Sequence, residues 1–178
     1  MSKGQRPLFG ALVSALLVSG CAHQELPKLP NEYLQVTEQI ALAGPVAQEN
    51  IAQLKRDKYL IIDLRTSAEE GQTEQQQGYQ RAGVSYQHLP VQGATVTSEH
   101  VSALTRHLSD HSSSPVIIQC ASGNRAALLW AAYRIDQGES AASAETAVAP
   151  LATKAAVIDA IRVFASEHEQ ANPNQPEK

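Results

Sequence analysis

The sequence predicts an α/β domain with a mainly parallel sheet flanked by helices, and three observations carry the prediction. Continuous apolar runs such as YLIID (59–63) and PVIIQ (115–119) end in polar or charged residues, as strands buried on both faces do. Stretches with helical periodicity separate these runs, as crossovers between parallel strands require. Reactive side chains collect at the ends of the runs: Asp63 and Arg65, His88, and Cys120. Sites in such sheets form beyond the carboxyl ends of the strands.

The first residues read as a targeting segment outside the fold. Lys3 and Arg6 form a short basic region, and Leu8 to Val18 is apolar but too short to span a bilayer. LVSGC (17–21) then puts small residues directly before a cysteine, so residues 1–20 are expected to be a signal peptide with a lipoprotein-type cleavage box. By similarity to bacterial lipoproteins, Cys21 would be acylated, holding the chain on a membrane without a spanning helix. Ala22 rather than aspartate follows it, which implies the outer membrane, facing the periplasm. Residues 21–36, with Pro27 and Pro30, read as a lipidated tether, residues 37–170 as the α/β domain, and residues 171–178 as a disordered tail.

Within the domain, Val46, Ile51 and Leu54 share one face of a helix expected over 46–57, started by Pro45. Residues 59–65 form the first buried strand. The polar stretch 66–83 is loop and helix, with Gly83 as its stop. VSYQHLPV (84–91) is a second strand, ended by Pro90. A helix follows over 97–111, capped by Ser98 and striped by Val101, Leu104 and Leu108. The third strand is 115–119, and a helix runs from about Asn124 to Asp136, with Trp130, Leu128 and Leu129 in the core. Two alanine-rich helices, near 141–149 and 152–168, close the domain.

The chain of 178 residues carries a formal net charge of -4, with a pI near 5.8. That mild acidity, without a basic run or aromatic ladder, excludes nucleic acid as the expected partner. The six histidines are scattered and no spacing suits a zinc site, so neither a metal nor another cofactor is expected. Two cysteines are present. With Cys21 acylated, Cys120 would be a free thiol in an oxidising compartment.

The segment CASGNR (120–125) starts at a strand end and opens a helix. Backbone N–H groups of Ala121, Ser122, Gly123, Asn124 and Arg125 can surround an anion there, aided by the helix dipole. The same field favours thiolate over thiol, which would make Cys120 a nucleophile. Arg125 can fork two oxygens of a tetrahedral oxyanion. A buried structural cysteine beside a surface arginine is the bland alternative.

This segment resembles the active loop of cysteine-dependent phosphatases and rhodaneses. Four residues separate cysteine from arginine, one fewer than in most tyrosine phosphatases and as in rhodaneses. Together with ALAGPVAQENIAQLKRDKYLIIDLRTSAEE (41–70) and GVSYQHLPV (83–91), VIIQCASGNRAALLWAAYR (116–134) is similar to the beta-lactamase-hydrolase-like protein phosphatase-like family. The resemblance implies a tyrosine-phosphatase-like fold and phosphatase or sulfurtransferase chemistry. It implies Cys120 as nucleophile, Arg125 as oxyanion ligand, residues 121–124 as amide donors, and Asp63, Arg65 and Glu70 as supporting residues. His88 joins them as a strand-end residue, and Arg65 is expected to pair with Glu69 or Glu70.

The chain departs from the phosphatase pattern in three places. Gln119 stands where many members have histidine, and Ala126 where many phosphatases have a hydroxyl residue. LPVQGATV (89–96) holds no carboxylate to serve as general acid, leaving His88, Glu99 and His100 as replacements. Three functions are therefore expected in order: a phosphatase forming a cysteinyl-phosphate, a sulfurtransferase forming a persulfide, and a catalytically weak anion-binding lipoprotein of the cell envelope. The partner is accordingly a phosphorylated or sulfur-bearing substrate.

Overall fold

A computed structural model describes residues 33–173. A five-stranded sheet has the order β1-β2-β5-β3-β4. Its strands are β1 (Tyr33–Gln35), β2 (Ile40–Ala43), β3 (Leu60–Asp63), β4 (Ser85–His88) and β5 (Val116–Gln119). Only β1 runs antiparallel, against β2; the other pairs are parallel. The helices are α1 (Ile51–Arg56), α2 (Gln72–Ala82), α3 (Ser98–Asp110), α4 (Asn124–Asp136), α5 (Ala141–Val148) and α6 (Ala155–Ala171). The mainly parallel α/β architecture is the one expected from the sequence.

Alternation along the strands divides the core. Leu42, Leu60, Ile62 and Ile118 point to a large cluster shared with α3, α4, α5 and α6. Ala43, Ile61 and Ile117 point to a smaller one shared with α1 and α2. Helix α4 is wrapped by the sheet, α3, α5 and α6, and Ala126, Ala127, Leu128, Leu129, Ala131 and Ala132 are all fully buried. Its alanines allow this close approach on every side, so the helix that opens the candidate site is the most enclosed in the domain.

The register aligns the carboxyl ends. Asp63 pairs with His88 on one side and with Gln119 on the other, and Ala43 pairs with Gln119. One edge of the sheet therefore presents the residues after β2, β3, β4 and β5 together.

Strands β1 and β2 were not expected. IALA has little strand propensity, and its Ile40–Ala43 stretch becomes a strand by pairing with all of β5. Strand β1 lies inside the stretch read as tether, so ordered structure begins before residue 37. The signal peptide, Cys21 and the first part of the tether lie outside the described residues, as does most of the expected tail, 174–178. Two helix signals also shift. Thr97, not Ser98, precedes α3 and forms a capping box: its side chain accepts from the His100 backbone, and its own backbone N–H donates to His100 Nδ1 at 3.1 Å. The last helix starts at Ala155 rather than near 152 and runs through Ala171. Gly83 stops α2 as expected, in the left-handed conformation at φ 68°.

Candidate active site

Cys120 is the residue after β5, and its N–H still donates to Ala43 O at 3.1 Å, as the sheet pairing ends. The chain then turns over Ala121 and Ser122, which are exposed, into Gly123 at φ 81°. Gly123 is the N-cap of α4 and supplies no side-chain cap. Among the described residues, the amides of Ala121, Ser122, Gly123, Asn124 and Arg125 donate to no protein group. A helix start left open in this way has donors free to receive an anion.

Gly123 is required twice. Its φ is one that L side chains resist, and an added Cβ would lie 2.7 Å from Leu151 Cδ1 and Cγ. Gly123→Ala should lower stability by about 1–3 kcal/mol and distort the loop. Urea unfolding and anion protection of Cys120 from alkylation measure the two effects; retention of both would show the loop tolerates a side chain here.

Asn124 ties this loop to the segment before α6. Its Oδ1 accepts from Lys154 N at 3.1 Å, and its Nδ2 donates to Thr153 Oγ1 at 3.3 Å. Leu151 packs on Gly123 from the same segment, so residues 151–154 act as a brace over the loop.

Arg125 is fixed by a different set. Its Nη1 donates to Glu69 Oε1 at 2.7 Å, Val91 O at 2.9 Å and Leu64 O at 3.3 Å; Nη2 donates to Glu69 Oε2 at 2.5 Å. Of the five N–H groups of a guanidinium, this leaves the Nε–H and one Nη2–H for the loop side. The hydrogen bonds it donates to Glu69, and then the electrostatic effect of Cys120, hold Arg125 above its ordinary pKa against the effect of burial. The Arg125 hydrogen bonds in turn bring Glu69 down to about 2, with help from Thr66, whose N–H donates to Oε1 at 2.8 Å.

A buried polar network underlies the loop. Asp63 is fully buried and takes a forked pair from Arg65: Nε to Oδ1 at 3.1 Å and Nη2 to Oδ2 at 2.7 Å. Gln119 Nε2 donates to Asp63 Oδ2 at 2.9 Å, and Gln119 Oε1 accepts from Tyr79 Oη at 3.1 Å and Val46 N at 3.3 Å. Gln75 accepts from both Arg65 and Gln119 and donates to the Val46 carbonyl. Burial alone would lower the Arg65 pKa, but the Asp63 hydrogen bonds and charge outweigh it and raise it. Burial, then the Asp63 charge, pushes the Tyr79 and Tyr86 hydroxyls well above the usual tyrosine range. The network leaves each charge paired and each of these amides bonded, which stiffens the strand ends that carry the loop.

Above the loop lies a cavity of about 510 Å³. Ala121, Ser122, Asn124 and Arg125 line it from the loop, Thr66 and Glu69 from one side, Gln92–Ala94 from another, and Lys154, Ala156 and Val157 from α6. Cys120 is 1% exposed and is not itself among the residues that line this cavity, although the loop that follows it is.

The residues suggested as general acids do not reach the cavity. His88 Nε2 donates to Arg65 O at 2.7 Å, bracing that turn. His100 accepts the Thr97 N–H at Nδ1, so its proton is on Nε2, 3.3 Å from Pro90 O. Glu99 is an exposed residue of the first turn of α3. The one carboxylate on the cavity wall is Glu69, which is held ionised by Arg125 and is therefore a poor proton donor at neutral pH.

The model of the beta-lactamase hydrolase-like protein, phosphatase-like domain, matches residues 32–140 of this sequence. The chain belongs to this family. Beta-lactamase hydrolase-like proteins from two strains of Xylella fastidiosa, Temecula1 and 9a5c, are 32% identical over 110 residues. That match covers 59% of this chain but 25% of each relative, so the chain spans about a quarter of the length of the curated relatives it matches. Among solved structures, the DUF442 protein of Shewanella putrefaciens CN-32 superposes with a TM-score of 0.65 at 18% identity, over 79% of this chain and 90% of that one. PTPMT1 superposes with a TM-score of 0.57, also at 18% identity, over 80% of this chain and 100% of its own. These likenesses establish a tyrosine-phosphatase-like fold, as expected from the sequence, and membership in the family supports a hydrolase of the phosphatase class.

The structure brings Cys120, Arg125 and residues 121–124 into one loop. It does not bring every supporting residue there. Arg65 pairs with Asp63, not with Glu69 or Glu70, and both lie in the network below. Glu70 is exposed and makes none of the contacts expected of it; Glu69, one residue earlier, reaches Arg125. His88 positions a backbone carbonyl. Sequence reasoning missed Lys154 altogether, since nothing in its local pattern places it near a loop thirty residues upstream.

Proposed function

We propose that the chain is a cysteine-dependent phosphatase in which Cys120 is the nucleophile and Arg125, with the amides of residues 121–125, holds the phosphoryl oxygens. One observation supports this reading: a free cysteine at a strand end, an uncapped helix start and a guanidinium fixed by Glu69 lie within one six-residue segment. The Cys120 thiolate attacks phosphorus, forming a P–S bond as the P–O bond to the leaving group breaks. Water then attacks the cysteinyl-phosphate, the P–S bond breaks, and inorganic phosphate leaves with the thiolate restored. Arg125 and the amides neutralise the equatorial oxygens in both steps.

Because the wall offers no protonated carboxyl group, the leaving oxygen must depart as an anion or take a proton from solvent. The expected result is a steep preference for activated leaving groups. Turnover of p-nitrophenyl phosphate should exceed that of phenyl phosphate by about a hundredfold or more, the usual worth of a general acid. Equal rates would show that a general acid operates after all.

The same missing acid favours a second reading, sulfur transfer. Attack of the thiolate on the outer sulfur of thiosulfate breaks the S–S bond, releases sulfite and leaves a persulfide on Cys120. Cyanide then removes that sulfur as thiocyanate. No proton donor is needed, and the cradle stabilises the anionic persulfide. Parallel assays with p-nitrophenyl phosphate and with thiosulfate plus cyanide decide between the two; turnover of neither, with phosphate still shielding Cys120, leaves an anion-binding module.

The setting we propose is the bacterial cell envelope, with Cys21 acylated after cleavage of residues 1–20 and the domain tethered to the periplasmic face of the outer membrane. The order of basic, apolar and small residues before Cys21 supports it. No described helix is long and apolar enough to cross a membrane. Intact mass spectrometry of the native protein tests it: a chain starting at Cys21 with added acyl mass is expected, and an unmodified Met1 start overturns it.

A further inference from the structure

The charges on the cavity wall do not balance around Arg125 alone. Glu69 is committed to Arg125 through two hydrogen bonds. The third charged residue of the wall is Lys154. Its ammonium forms no ion pair or hydrogen bond with any described residue. Yet its main chain is held firmly: Lys154 N donates to Asn124 Oδ1, Thr153 Oγ1 accepts from Asn124 Nδ2, and Leu151 closes on Gly123. The brace that shapes the amide loop therefore also sets a cation with no ion pair among the described residues on the wall of the same cavity. Helix α6, which Lys154 precedes as its N-cap without a side-chain cap bond, contributes Ala156 and Val157 to that wall.

The loop amides and Arg125 suffice for one tetrahedral anion. A further cation on the wall of the same cavity of about 510 Å³ is not needed for that anion and can meet a second negative group on the same molecule. We propose that Lys154 is a specificity-determining residue that binds a second anionic group adjoining the phosphoryl group, so that the preferred substrates are phosphate esters bearing a neighbouring phosphate or carboxylate. This inference rests on the reading of residues 120–125 as the phosphate cradle. Asn124 is its positioning residue, because that side chain joins the cradle to the Lys154 backbone.

The test is calorimetric and needs no turnover. The full chain with Cys120→Ser is titrated at low ionic strength with methylphosphonate, phosphonoacetate and methylenediphosphonate. The two doubly functional anions should bind about tenfold tighter than methylphosphonate, the scale of one charge-assisted contact. Lys154→Met should erase that gain and leave methylphosphonate within about twofold, while Lys154→Arg should keep it. The backbone bond to Asn124 survives either change, so the brace stays intact. Equal affinities for all three anions, or a loss in Lys154→Met shared equally by methylphosphonate, overturns the inference and leaves the cradle standing. Failure of every anion to bind overturns both. Tight binding of the double anions without turnover of any phosphate ester in the wild type overturns the phosphatase reading alone.

Discussion

Cys120→Ser is expected to lower turnover of p-nitrophenyl phosphate by at least about three orders of magnitude, because a serine hydroxyl in this loop is a far weaker nucleophile than a thiolate. Folding should be nearly unchanged: the side chain is similar in size and its hydroxyl finds free amides at the loop, so the urea midpoint should move by less than about 1 kcal/mol in stability. Rapid quenching of the wild type should trap a phosphate adduct on Cys120 by mass spectrometry, absent in the variant. Retention of a tenth of the activity would remove Cys120 from the chemistry. The burial of Cys120, 1% exposed, is what a structural cysteine would also show. What separates the two is the sequence neighbourhood of the sulfur: it is followed directly by loop amides without protein acceptors among the described residues and by Arg125.

Arg125→Lys should be nearly as damaging. Lysine brings one compact charge with three donors, whereas Arg125 meets Glu69 with both terminal nitrogens, two backbone carbonyls with Nη1, and still has donors to spare. Losing the planar fork should reduce kcat/KM by about a hundred- to a thousandfold, the range for removing an oxyanion donor. The Leu64 and Val91 carbonyls and one Glu69 oxygen would lose their partner, so stability should fall by about 1–3 kcal/mol as well. Glu69→Gln separates the two effects. It keeps an acceptor for Arg125 but frees the guanidinium to drift, so kcat should fall less than in Arg125→Lys. A lysine variant within threefold of wild type would show that the oxyanion is held by amides alone.

Legibility followed sequence distance. The strand-loop-helix at 115–136 and the glycine it needs were readable because every part lies within twenty-two consecutive residues. Gly123 could be singled out for its backbone freedom, although the close approach of Leu151 that also demands it could not. The carboxylate that serves Arg125 lies fifty-six residues away, and adjacent glutamates gave no local reason to prefer Glu69 over Glu70. The turn of the chain at Thr66 decides it, by bonding its N–H to Glu69 and turning Glu70 to solvent. Arg65 looked like a partner for those glutamates, but burial beside Asp63 offers a charge two residues away with ideal fork geometry, and an exposed glutamate cannot compete with it.

By itself, the order of residues determined the class of fold, the strand-end position of the thiol, and a glycine-bearing loop that opens a helix. These follow from periodicity and from which residues end apolar runs. The tertiary structure alone decided β2, the pairing of Arg125 with Glu69, the removal of His88, His100 and Glu99 from the chemistry, and the arrival of Lys154 at the cavity. Each of these depends on segments brought together across the chain by burial of the core, and no local pattern encodes which distant group will then stand opposite.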